Sequence, residues 1–236
     1  MNPRAGRPRG ERGTAIIVAM LLVVLLSAIG LGLALTCGIE PTVAANFDAS
    51  WAAIAAAESA VTLAAHDLAG TPDWSAALAG GWRSPLLAPA APQDVVAGTV
   101  PPTGVATLTH LATCQRPTAC STADVVDVTT DRPWGHNNPV WQVVGRIRAG
   151  PGLTLDTSVP FETVVWVGDD PGESDGNPAQ DAAPDASGSL RPAPGANRVL
   201  VRAEAFGPRA AHAAVEVLVS RSGREGPVRL QRRKVW

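Results

Sequence analysis

The chain has 236 residues, of which 46% are hydrophobic and 17% charged, with a formal net charge of −2. The sequence contains no basic stripe, and the short cationic group within residues 229–234 is too small to bind a nucleic acid. We therefore expect no nucleic-acid partner. Once a leader and an apolar segment are set aside, enough chain remains for one globular domain with its own core.

Residues 1–13 form a basic leader with four arginines and one glutamate, a net of +3, which leaves −5 for the remainder. The apolar run of residues 14–36 is 23 residues long and carries no charge. Because about 20 apolar residues cross a bilayer as a helix, the run predicts a transmembrane helix. Positive flanks stay in the cytoplasm, so we expect a single-pass protein with a cytoplasmic N-terminus and its larger part on the other side of the membrane.

Two interpretations of this apolar run require nothing further from the chain, a cleaved secretory signal and a simple one-pass anchor. A cleaved secretory signal has an apolar region of about 7–15 residues and a small-residue exit. The run is longer than that, and the stretch before Cys37 lacks the small residue expected ahead of a lipidated cysteine. A simple one-pass anchor needs no special pattern and is the other alternative. Cys37 itself is interpreted as a small apolar residue.

The residues around the apolar run carry a more specific pattern. Its elements are a basic residue with glycine, the apolar helix, a polar patch, an Ala-Asn pair and an Ala-Ala-Glu helix. In this order they fall on Arg12-Gly13, residues 15–35, Thr36 with Glu40, Ala45-Asn46 and Ala56-Ala57-Glu58. Residues 11 to about 70 therefore resemble the N-terminal domain of PilX-type proteins of type IV pilus assembly.

The resemblance implies partners and a processing site. Gly13 is the residue type that prepilin peptidases require before their cut, so cleavage is expected between Gly13 and Thr14. Pilin or pseudopilin subunits, the peptidase and the lipid bilayer are the implied partners. The implied location is the bacterial inner membrane, with the head in the periplasm. One residue departs from the pattern: major pilins carry a glutamate at the fifth position after the cut, where this chain has Val18. The departure favours a minor or accessory subunit over the repeating one.

Residues 42–69 predict a second, amphipathic helical stretch. Its apolar residues recur at steps of three and four: Val43, Phe47, Trp51, Ile54, Ala57, Val61, Ala64, Ala65 and Leu68. We expect this stripe to pack on the protein's own sheet. Glu58 has two interpretations, a solvated or locally satisfied carboxylate and a salt-bridge partner for another subunit. Gly38 and Pro41, near the end of the apolar run, predict a kink or break.

Beyond residue 70 the sequence predicts a β-rich head. Alternating runs at residues 140–148, 161–167, 198–205, 213–221 and 228–235 indicate strands, with a hairpin turn around Gly207-Pro208. The expected fold is α+β: a long N-terminal transmembrane and amphipathic helix packed on an antiparallel sheet, as in pilins. The predicted divisions are residues 1–13 (leader), 14–70 (PilX-like helix) and 71–236 (head). Most of the large anchors are expected to make core or helix–sheet contacts rather than to stack on a ligand: Trp74, Trp82, Trp134, Trp141 and Trp166.

Cys114 and Cys120 lie in the predicted external part of the chain. A disulfide between them closes a loop of seven residues, worth about 2.3 kcal/mol in the chain-entropy account. The even number of cysteines in this part favours the bond over two unrelated free thiols.

Residues 168–188 carry six carboxylates and no basic residue. A calcium loop is one interpretation, because Ca²⁺ takes several oxygen ligands from a flexible turn. The candidate ligands are Asp169, Asp170, Glu173, Asp175 and Asp181. The spacing fits an EF-hand poorly, and a solvated acidic loop is the other interpretation. No other cofactor is expected.

The four histidines are scattered, and no catalytic motif appears in the sequence, so we expect no enzyme. The resulting hypothesis is a minor pilin-like or accessory subunit of type IV pilus assembly, anchored by its N-terminal helix. A minor pseudopilin of type II secretion is one alternative. A non-polymerising envelope protein with a binding head is the other.

Overall fold

A computed structural model describes residues 11–148, 161–173, 176–181, 197–222 and 226–236. In chain order the elements are α1 (Glu11–Ala69), α2 (Ser75–Leu78), β1 (Val95–Val96), β2 (Thr103–Gly104), α3 (Val105–Cys114), α4 (Thr122–Val126), β3 (Gln142–Arg148), β4 (Glu162–Asp169), β5 (Arg198–Phe206), β6 (His212–Arg221) and β7 (Val228–Val235). The chain divides into two compact units, Met1–Phe47 and Asp48–Trp236.

The described part of the first unit is the N-terminal part of α1. Within it Thr14–Ala34 is a 21-residue apolar stretch with a mean hydropathy of 2.9, and none of it is buried. It is the only helix among the described residues that is long and apolar enough to cross a membrane. Such a helix is either a single membrane span or a signal sequence. Helix α1 continues through Gly38 and Pro41, so the break predicted there is not seen.

The second unit is built on a five-stranded antiparallel sheet in the order β3-β4-β5-β6-β7. Each strand pairs with its neighbour in sequence, which makes the sheet a meander. The alternating runs predicted these strands to within about two residues at each end, and the predicted hairpin turn between β5 and β6 is confirmed. A small second sheet pairs β1 with β2.

The C-terminal part of α1 covers one face of the large sheet. Its buried positions recur at three- and four-residue steps: Ala53, Ala57, Ala60, Val61, Ala64 and Leu68, each at most 2% exposed. They form one core with alternate residues of the central strands, including Val165, Val167, Val199 and Val201. The α+β fold with a long N-terminal helix packed on an antiparallel sheet, the pilin-like arrangement, is therefore confirmed.

The predicted stripe is wrong at its start, where Val43, Phe47 and Trp51 are 61%, 61% and 57% exposed. At about 100° per residue, Trp51 lies about 120° from Ala57 and about 180° from Ala60 round the helix. The buried face is therefore centred on small alanines, which allow the helix to approach the sheet closely. The predicted stripe instead follows the larger apolar residues Phe47 and Trp51.

The opposite face of the sheet is covered by α3, a helix that the sequence pattern does not predict. Val105 and Leu108 of α3 form a second core with Val164, Trp166 and Leu200. The indole Nε1 of Trp166 donates a hydrogen bond to Thr109 Oγ1 at 2.9 Å. The sheet thus lies between two helical layers. Trp74, Trp141 and Trp166 are buried, as predicted, whereas Trp134 is 45% exposed.

Candidate functional site

The predicted processing site lies at the start of α1. Gly13 and Thr14 are both helical, and the Thr14 side chain is exposed. Further along, a Cβ added at Gly30 or Gly32 would meet nothing within 4 Å. Packing inside this chain therefore gives no reason for those two glycines. Cleavage after Gly13 stays a prediction.

The predicted acidic site is only partly described. Asp169, Asp170 and Glu173 are buried at 2%, 5% and 2% exposure, at the end of β4 and in the turn that follows. Asp170 accepts a hydrogen bond from the backbone N–H of Gly172 at 3.1 Å and lies 3.5 Å from Arg198 Nη1. The Asp170 carboxylate is thus held by its own turn and by one arginine.

Asp181 lies further along the chain and accepts a hydrogen bond from the backbone N–H of Asn197 at 2.7 Å. Burial raises its pKa, against the lowering effect of backbone hydrogen bonds from Asn197 and Arg198. Asp175 lies outside the described residues. Among the residues that the structure does describe, no three His, Cys, Asp or Glu side chains form a group suited to a metal ion. The calcium site stays a prediction.

The predicted disulfide between Cys114 and Cys120 is confirmed, with the two Cα atoms 6.0 Å apart. It joins the last residue of α3 to the segment before α4. Gln115 follows the first cysteine and ends α3 in the left-handed conformation, with φ 61° and its N–H bonded to the Leu111 carbonyl. The disulfide therefore fixes the turn that carries the Gln115 side chain.

The segment between the disulfide and β3 is held by its own polar side chains. Ser121 and Asp124 form a reciprocal capping box at the start of α4. Arg132, only 7% exposed, donates hydrogen bonds from its guanidinium to the carbonyls of Asp124 and Val125 at 3.0 and 2.6 Å. The buried Asn138 amide donates to the carbonyls of Val125 and Asp127. This irregular stretch is therefore internally braced.

Beside the braced segment lies a pocket of about 430 Å³, which we name the indole pocket. It is bounded by the end of α3, by the segment before β3, and by strands β5, β6 and the end of β7. Its lining includes Trp134, Trp141 and Trp236 together with polar and charged side chains: Gln115, Asp131, Arg132, Arg202, Glu216 and Lys234. The volume lies within the range of about 300–1,000 Å³ that is typical of small-molecule sites.

Arg202 contacts both carboxylates and indole rings in and beside the indole pocket. Its Nε donates to Glu204 Oε1 at 2.8 Å, and its Nη1 lies 3.9 Å from Glu216 Oε2. Its Cζ lies 5.8 Å from the ring centroid of Trp141 and 4.8 Å from that of Trp236, both distances suited to cation–π interaction. The guanidinium is thus held between carboxylates and indoles.

The pKa values of the two carboxylates around Arg202 shift in opposite directions. Burial raises the pKa of Glu204, but the hydrogen bond to His212 and the Arg202 charge outweigh it, so the net pKa is lowered. Burial dominates at Glu216 and raises its pKa despite the charges of Arg202 and Lys234. Two glutamates near one arginine therefore differ in how readily they ionise.

The sequence pattern does not predict the indole pocket. It predicts Trp134 and Trp141 to be core residues and indicates no role for Trp236. The lining comes from segments that lie as far apart as Leu111 and Trp236, so no local motif marks it. Comparison of the chain with models of known families, with curated proteins and with solved structures gives no match. The assignment of function therefore rests on the residues and the fold.

Proposed function

We propose that this chain is a membrane-anchored, pilin-like accessory subunit of type IV pilus assembly. The observation that carries the proposal is the fold: an exposed apolar helix, and an amphipathic helix packed on an antiparallel sheet. The order of residues from Arg12-Gly13 to Glu58 supports it independently, through the resemblance to PilX-type proteins. The proposal gives the chain no reaction of its own.

Residues of the apolar helix support an assembly role over simple anchoring. Ala28 with Gly32 and Gly30 with Ala34 have the small-xxx-small spacing that lets helices pack closely in lipid. Since no packing within this chain requires Gly30 or Gly32 to be small, neighbouring subunits are the partners we assign to them. Val18 in place of the glutamate removes a buried charge and favours an accessory position.

The mature N-terminus tests the proposal most directly. We expect intact-mass measurement of the chain from native membranes to give a protein that begins at Thr14. Gly13→Val should keep the leader, because the peptidase requires a small residue at that position. Gly10→Val is the matched control, and it should be processed as the wild type is.

A wild-type chain that keeps Met1 or Asn2 within assembled material would overturn the proposal. Cross-linking from exposed positions of the apolar helix, such as Leu22, then separates the assemblies. Adducts with pilins support the pilus. Adducts with secretion pseudopilins assign the chain to type II secretion instead, and adducts with neither support a non-polymerising envelope protein.

A further inference from the structure

The indole pocket combines aromatic surface with many hydrogen-bonding groups. Trp134 and Trp236 line it and keep 45% and 44% of their surface exposed. A larger groove of about 960 Å³ lies between α1 and β3. That groove has no aromatic lining, and nothing in the described structure indicates what would fill it. The indole pocket is therefore the better defined of the two sites.

The walls of the indole pocket are held by bonds within the chain. The Cys114–Cys120 disulfide holds the turn at Gln115, and the buried Arg132 and Asn138 brace the segment that carries Trp134. On the sheet side, Glu204 holds Arg202 in place. A preorganised site loses less conformational entropy on binding, so even weak individual contacts give measurable affinity.

The charges of the indole pocket disfavour an ionic ligand. Arg132, Arg202 and Lys234 supply three positive charges, while Asp131, Glu216 and the neighbouring Glu204 supply three negative ones. A cation in the pocket would lie near the groups that already approach Trp236, Arg202 at 4.8 Å and Lys234 at 4.4 Å. An anion would meet Asp131 and Glu216. The ligand that fits this balance carries no net charge.

The same groups suit a molecule rich in hydroxyls. Gln115 and Asp131 contact each other at 3.4 Å at the edge of the pocket. A hydroxyl both donates and accepts, so one kind of group bonds to the carboxylates, the Gln115 amide and the cations alike. The Trp134 indole, 45% exposed, has an electron-rich face that attracts the weakly polarised C–H groups of an apolar ring face. A sugar ring has both features, with hydroxyls at its edge and C–H groups on its face. We infer that the indole pocket binds an uncharged saccharide.

This inference does not depend on the pilus assignment, and it is tested on the full chain in lipid nanodiscs, which carry no sugar head groups. The probes are chitotriose, cellotriose and maltotriose, with choline and inorganic phosphate as charged comparators. By isothermal calorimetry we expect at least one trisaccharide to bind with a Kd below about 5 mM, and neither comparator to bind in that range. Saturation-transfer NMR should place the sugar C–H protons against the protein.

Two exposed positions give the variants. Trp134→Ala should weaken saccharide binding about tenfold, and Asp131→Asn should weaken it by a similar factor through the lost charged acceptor. Trp51→Ala, an exposed tryptophan on α1, is the matched control and should bind as the wild type does. Thermal unfolding checks that each variant is folded. If Trp134→Ala does not fold, Asp131→Asn alone tests the inference. Binding of none of the three sugars, tighter binding of choline or phosphate, or wild-type affinity in the folded variants would overturn the inference.

Discussion

Glu204 and Glu216 differ because of what each carboxylate touches. Glu204 is 8% exposed, yet it accepts from Arg202 and lies 3.2 Å from His212 Nε2. Glu216 is opposite Arg202 in the β5–β6 pairing but keeps only a 3.9 Å contact with it. A buried charge stabilises the fold only when its hydrogen bonds offset the loss of its hydration. The bonds of Glu204 offset that loss, and the single long contact of Glu216 does not.

The two glutamates predict opposite effects of pH on stability. Because the pKa of Glu204 is lowered in the fold, its contribution is complete above its ordinary value of about 4.5 and is lost as the pH falls through the folded pKa. Glu204→Gln should therefore cost about 2 kcal/mol or more at pH 7 and much less at pH 3. Thermal unfolding of the full chain in nanodiscs, followed by tryptophan fluorescence at both pH values, measures this.

Glu216→Gln is the matched variant, because Glu216 contacts the same arginine. Its folded pKa is raised, so its contribution is complete below about pH 4.5 and is lost as the pH rises through the folded pKa. The variant should therefore be no less stable than the wild type at pH 7. Equal destabilisation by both substitutions at pH 7 would contradict the assignment of the two carboxylates.

At the scale of elements, the strands were predictable and α3 was not. The strands contain runs rich in β-branched residues, such as Val164 and Val165 on the two buried faces of β4, and Gly or Pro residues bound these runs. The sequence of α3, VATLTHLATC, contains three threonines and a valine, which lower helix propensity. Its apolar spacing, with Val105 and Leu108 three residues apart, was the available signal. Contact with the sheet stabilises this helix more than its own propensity does.

The close approach of α1 to the sheet predicts a cost for added volume. Ala60 is fully buried among strand residues, so Ala60→Leu should lower the free energy of unfolding by about 1–3 kcal/mol through overpacking. Ala55→Leu, at an exposed position of the same helix, adds the same atoms and should change stability by less than about 0.5 kcal/mol. Thermal unfolding of both variants in nanodiscs provides the comparison. If the two variants unfold alike, Ala60 is not at a tight interface.

At the scale of the whole molecule, the two units require different surroundings. The second unit closes two apolar cores against its sheet, whereas every side chain of Thr14–Ala34 in the first is exposed. This contrast was predictable from the sequence. Residues 14–34 carry no charge, and they show no alternation of apolar and polar residues that would leave only one face of the helix apolar. The indole pocket was not predictable on the same basis, since the fold alone brings Gln115, Trp134 and Trp236 together.

Membrane retention of the Thr14–Ala34 helix is the last expected outcome. A charged residue at the centre of a span costs about 2.5–3.5 kcal/mol on insertion, so Leu25→Arg should reduce the fraction of chain that resists alkaline carbonate extraction. Leu25→Ala keeps the segment apolar and should remain in the membrane.

Peptide mapping of the retained wild type should recover residues 14–34. A mature chain in the soluble fraction that begins after Ala34 would instead identify the helix as a cleaved signal. The second unit would then function without an anchor.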